Sequence, residues 1–314
     1  MLLKKNKIFP LVLCGFMAVF AACASSGKKP DNGVNFIPSL ERALEIMGQT
    51  KGGHELADYL WDHPVPVTYA QLAGPWPKYD PVIKQIFLPR DIKENDYLVM
   101  LALARAIEVY RICDTLGLDE IIVETEQIAA LGEMELAIEV GLKEREGEDS
   151  LPGQKLLDEF CSFMVEGADG LTDKVRGDCL ALHPEYNRPY KSVDAYEKWL
   201  RQTKEALDGG TLNQLMLKRD RDLVRRGEIT TADADKNASA FASLEPRQIY
   251  RQYNDMYIQG MEKMGRLKRL YQKRISRDKS WRKKNEAAIS RQLSRTRYCG
   301  TFVRVEDYHV PGQD

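Results

Sequence analysis

Hydrophobic residues change their spacing along this chain, and each change marks a different kind of element. Ser39, followed by Arg42 to Met47 and stopped by Gly48, reads as a capped helix, and a second helical stretch runs from His54 to Trp61. Val65, Val67 and Tyr69 then alternate as a short strand. Lys84 to Leu88 reads as another, with Gly74, Pro75, Pro77 and Pro81 forming the turns between them. Beyond Pro89 helical spacing returns. Tyr97 to Leu116 carries Leu98, Leu101, Ala102, Ile107, Val109 and Ile112 around nearly its whole circumference, with Arg105 among them, which predicts a buried helix. Gly117 stops it. Leu118 to Lys143 reads as a second long helix and Gly147 to Gly153 as a loop.

The remainder is charged and helical: Leu156 to Val165, Val193 to Leu207, Leu212 to Arg226, and a long segment from Pro246 to about Arg297. In that last segment Ile249, Tyr253, Met256, Gly260, Met264, Leu267, Tyr271 and Ile275 recur at steps of three and four, so one face is apolar and Arg and Lys cover the rest. Thr301 to Val305 reads as a short closing strand. The expected fold class is α+β and predominantly α-helical, a small sheet with buried helices followed by a long charged helical region.

Composition adds a core and a compartment. With 43% hydrophobic residues the chain buries a real core. Cys113, Cys161, Cys179 and Cys299 follow the N-terminal segment, and none forms the CxxC spacing of a thiolate metal site. Cys161 and Cys179 are close in sequence and bracket a Gly- and Asp-containing turn, which favours that pair as a disulfide, with Cys113 to Cys299 clasping the tail; four reduced, buried thiols are the alternative. Charge is uneven. Pro38 to Ser150 holds 10 Lys/Arg against 22 Asp/Glu, whereas Arg247 to Arg297 holds 16 against 4. The basic segment is expected either to dock on the acidic N-terminal part or to meet anionic lipid or an acidic envelope partner.

The first residues read as an export address. Lys4, Lys5 and Lys7 precede an apolar run, Ile8 to Ala22, too short for a confident membrane span. Phe20-Ala21-Ala22-Cys23 resembles a bacterial lipoprotein signal, in which small residues precede a cysteine that is acylated on sulfur and becomes the first mature residue; Phe20 departs from the usual Leu. An ordinary signal peptide cut after Ala22 or Ala24 is the other reading. The resemblance implies a leader over 1–22 and a tether over 23–36; the organisation of the rest of the chain divides it into a domain over 37–150 and a helical charged region over 151–314. The resemblance also implies attachment to the cell envelope through the Cys23 lipid, with Ala24 resembling the outer-membrane pattern where the host has two membranes. Export disfavours nucleic acid as a partner.

Candidate chemistry is sparse. His54-Glu55-Leu56-Ala57-Asp58 is a broken version of the HExxH zinc helix, with Asp58 in the second histidine's place and His63 nearby. The order of elements from Ser39 to Ala130 also resembles a group of bacterial zincin-like metallopeptidases. The matching segments are Thr50 to Leu56, Val65-Pro66-Val67, Tyr79 with Ile86 to Pro89, and Leu103-Ala104 opening the buried helix. Where that family carries its first histidine, glutamate and second histidine, this chain carries Arg105, Ala106 and Val109; Glu124 or Glu126 is left for the third-ligand position. Arg and Val lend zinc no lone pair and Ala is no general base. The resemblance therefore implies a degenerate, catalytically dead domain with no cofactor. Arg105 in so apolar a helix must either reach solvent or find a carboxylate; Glu108, Glu124 and Glu126 are candidates, and the expectation is a contact with Glu124 or Glu126 replacing the metal as the link between the two helices. His183 and His309 have no motif context. The expected function is a lipid-anchored envelope protein that binds or scaffolds, against an alternative hydrolase with metal at His54, Asp58 and His63.

Overall fold

The computed structural model describes residues 38–72, 74–141, 150–182, 191–295 and 299. Cys23, the leader, the tether, His183, Arg297, the strand expected at Thr301 to Val305 and His309 lie outside them. Helix α1 (Pro38–Met47) buries Leu40, Ala43, Leu44 and Met47, one face at helical spacing. Thr50 caps α2 (Lys51–Asp62), its hydroxyl accepting from the Gly53 amide at 3.0 Å. A Cβ on Gly53 would stand 2.2 Å from the Met47 carbonyl oxygen, so only glycine lets α2 start this close to the end of α1.

Strand β1 (Val67–Ala70) pairs in parallel with β3 (Gln85–Pro89), and β2 (Lys78–Asp80) pairs with the other edge of β3 antiparallel. β2 falls in the stretch read as turns: its three residues are too short to register as alternation, and Tyr79 opposite Ile86 is what seats it. Val67, Tyr79, Ile86 and Leu88 turn to the core. A single 3-10 turn (Arg90–Ile92) leads to α3 (Asp96–Leu116), capped by Asn95, whose side chain accepts from the amides of Tyr97 and Leu98. Gly117, at φ 61°, ends it in the left-handed conformation.

Helix α4 (Val123–Val140) starts later than its periodicity suggests, because Ile122 is extended at φ −113°, ψ 148°. α5 (Leu151–Leu182) takes in part of the expected loop and bends at Gly167, whose φ of 81° and ψ of −156° interrupt the helix. α6 (Val193–Asp208), α7 (Leu212–Arg225), α8 (Thr231–Ala242) and α9 (Pro246–Arg295) follow. α8 has no buried residue and so left no apolar stripe to read; a capping box between Thr230 and Asp233 starts it. The chain is thus predominantly α-helical with one small sheet. No helix among the described residues is long and apolar enough to cross a membrane.

The 50-residue α9 packs along α4, α5 and α6, and all described residues belong to one compact unit. The domain boundary expected at residue 150 therefore falls inside that unit. Where α5 bends, α9 packs against the break. Arg282 donates to the freed carbonyls of Phe163 and Met164, and buried Asp278, one turn earlier on α9, sits by the Ala168 amide that begins the second arm. Cation at a helix C-terminus and anion at an N-terminus both complement the backbone dipoles. Beside them the disulfide joins Cys161 to Cys299, leaving Cys113 and Cys179 as buried thiols. This corrects the pairing favoured from spacing: the stretch between Cys161 and Cys179 is helix and not a turn, so those two sulfurs are carried apart along α5.

Candidate functional site

Helix α3 is enclosed by α1, α2 and the sheet on one side and α4 on the other, so Arg105, only 1% exposed, has no route to solvent. An unpaired guanidinium there would be prohibitive. Three carboxylates meet it. Arg105 Nε donates to Glu126 Oε2 at 3.2 Å, and Nη1 donates to Glu133 Oε2 at 3.2 Å and to Glu159 Oε2 at 2.7 Å. The Trp76 ring lies 5.3 Å from Arg105 Cζ, placed by the Gly74–Pro75 turn ahead of β2. One cation thus ties α3 to α4 and to α5.

The charges settle unevenly. Burial works against the Arg105 charge, but Glu159, Glu133 and Glu126 outweigh it and hold the guanidinium firmly protonated. Burial pushes the Glu133 carboxyl up to about 8 against the pull of Arg105. Glu159 is raised by burial too, with Arg105 and Trp76 opposing. The upward pull on Glu133 and Glu159 limits how much negative charge the core carries around the one cation.

Of the two carboxylates expected to meet Arg105, Glu126 does. Glu124 points the other way, accepting from the Val193 amide at 3.0 Å at the start of α6 and facing Arg176 at 3.6 Å. Glu133 and Glu159 were missed. Glu133 lies seven residues after Glu126 and so on the same face of α4, and Glu159 interrupts the apolar arc Leu156, Leu157, Phe160, Phe163 of α5; both patterns mark carboxylates turned inward. Ala106 and Val109 pack in the core at 2% exposure each.

The alternative metal site is not assembled. His54 and Asp58 are exposed, 3.4 Å apart across one turn of α2, while His63 stacks on Tyr59 with ring centroids 4.3 Å apart at the helix end. Among the described residues no three His, Cys, Asp or Glu side chains are grouped to hold a metal ion. A cleft of about 260 Å³ between the β2 region and the α4 start reaches Glu126 and Cys179 at its back. Neither buried thiol is a ready nucleophile: burial pushes Cys113 up to about 12, and burial with Glu126 pushes Cys179 higher still.

The charge asymmetry is partly consumed inside the molecule. Lys263 donates to the Gly117 carbonyl, Arg274 meets Glu135 at 2.8 Å, Lys268 meets Asp194 at 3.2 Å and Lys279 meets Asp169 at 3.7 Å, so α9 docks on acidic helices through its own cations. Comparison with family models, with curated proteins and with solved structures finds no match for this chain.

Proposed function

We propose that this chain is an exported, lipid-anchored cell-envelope protein that works by binding or scaffolding, and that residues 37–150 descend from a zincin-like metallopeptidase frame with its active-site motif lost. The observation that carries this reading is Arg105. It stands at the position of the first metal-binding histidine in that frame, and its guanidinium engages Glu126, the candidate third-ligand carboxylate, together with Glu133 and Glu159. A cation permanently seated there repels a divalent metal, and Ala106 supplies no base for an attacking water. The anchor is Cys23, and the body stays at the membrane through the tether that follows it.

The test has two readouts on the full chain recovered from membranes. Mass spectrometry of the N-terminal peptide is expected to find acylated Cys23 as the first residue; an unmodified N-terminus after Ala22 or Ala24 refutes the anchor. Incubation with peptide and cell-wall fragments, with and without added zinc, is expected to give no hydrolysis. Turnover that a chelator abolishes refutes the non-catalytic role.

A further inference from the structure

The fold uses only some of the cations of α9; Arg266, for one, pairs with Glu262 along the helix itself. Lys263, Lys268, Arg274, Lys279 and Arg282 are engaged with the rest of the molecule. Arg269, Lys273, Lys283, Lys284, Arg291 and Arg295 are exposed, and none meets a carboxylate among the described residues. At 3.6 residues per turn these six fall on an arc of about 120°, opposite the buried Gly260, Met264, Leu267, Asp278 and Ile289, and span about 39 Å of helix. Between Arg269 and Arg295 the acidic residues are Asp278, which is buried, and Glu286, which lies off the arc.

What separates the cations matters as much. Ser276, Ser280, Ala287 and Ser294 occupy the rest of the arc apart from Arg277, which stands at its edge near Glu135 and Glu139, while Tyr271 and Trp281 of the same stretch turn toward the core. The face therefore offers no ring on which a nucleic-acid base would stack and no aromatic anchor of the kind that dominates protein interfaces. It offers a straight row of charge with only small side chains between. That matches a dense, diffuse layer of negative headgroups, to which several clustered Lys and Arg bind additively.

We propose that the outer face of α9 from Arg269 to Arg295 lies along the surface of an anionic lipid bilayer. This deepens the membrane-anchored reading and rests on it for proximity, since residues 24–36 reach at most about 45 Å from a lipid on Cys23. The anchor holds the protein at the membrane, and the α9 row sets which face it presents.

The experiment uses the full chain with Ser280→Cys carrying a donor fluorophore, mixed with vesicles of phosphatidylcholine alone or with one quarter phosphatidylglycerol, each with a headgroup acceptor. Energy transfer is expected to be high on the anionic vesicles, low on the neutral ones, and to collapse between 0.05 and 0.5 M salt as screening shortens to a few Å. Replacing Arg269, Lys273, Lys283 and Lys284 with Gln, with an unchanged thermal melt, is expected to weaken the docking equilibrium about fivefold per cation, on the order of several hundred-fold together. Equal transfer on both vesicles, or a variant that docks like wild type, overturns the proposal. So does tight DNA binding without any vesicle effect. Flotation with neutral vesicles reads the anchor separately: a chain that floats there but shows no charge-dependent transfer keeps the anchor and loses the docking face, whereas charge-dependent transfer without neutral flotation does the reverse.

Discussion

Replacing Arg105 with Met removes the cation that three buried carboxylates share, and its consequence follows from the charges left behind. Glu126, Glu133 and Glu159 would surround an apolar side chain at 6%, 4% and 0% exposure. Breaking a buried ion pair from one side costs about 3–5 kcal/mol, a large share of the 5–15 kcal/mol that typically holds a folded chain together. The cost depends on pH, and its sign is fixed. Glu133 already titrates in the folded state near 8 against an ordinary 4.5, so its contribution is full below 4.5 and is lost as pH rises through 8. Without Arg105 the other two carboxylates move the same way. Urea unfolding followed by circular dichroism is expected to place Arg105→Met about 3–5 kcal/mol below wild type at pH 8, with the gap narrowing at pH 5.5. Adding Glu126→Gln, Glu133→Gln and Glu159→Gln to the same variant is expected to recover most of the loss at pH 8. A gap under about 1 kcal/mol, or one equal at both pH values, refutes the shared-cation reasoning.

Three further outcomes test the packing around α9, and a fourth tests the burial of two thiols. Gly167→Ala forces a side chain into φ 81°, with its Cβ 3.3 Å from Arg282 Nε, and is expected to lower stability by about 1–3 kcal/mol in thermal melts. Asp278→Asn removes a carboxyl that burial raises to about 6 from 3.8; the wild type is expected to lose stability as pH rises from about 4 through 6, and the variant's profile to lack that fall. Cys299→Ser opens the bridge to Cys161 and is expected to cost about 2–5 kcal/mol. In the folded wild type an alkylating reagent is expected to label neither Cys113 nor Cys179 until denaturant is added, and rapid labelling of either in the native state contradicts their burial.

Where one physical signal dominated, the sequence was legible. The all-round apolar character of α3, the Gly117 stop and the three-and-four stripe of α9 each stand where periodicity placed them, since tertiary burial is what such patterns report. α8 escaped notice because it buries nothing, and β2 because three residues carry no period. Arg105 with Glu126 was legible from the cost of an unpaired buried charge. Glu133 and Glu159 were not, since which carboxylates converge on one guanidinium depends on how α4 and α5 cross. The cysteine pairing failed for the same reason: nearness in sequence ceased to mean nearness in space once α5 ran through both Cys161 and Cys179.

Elemental analysis of the full chain, purified beside a variant with His54→Ala and His63→Ala, tests most directly the claim that an arginine has taken the place of a metal. Substoichiometric zinc in both proteins, with added zinc washing out of each, is the predicted result. One tightly held equivalent per chain in the wild type would contradict it, and loss of that metal in the variant would restore a hydrolase centred on α2.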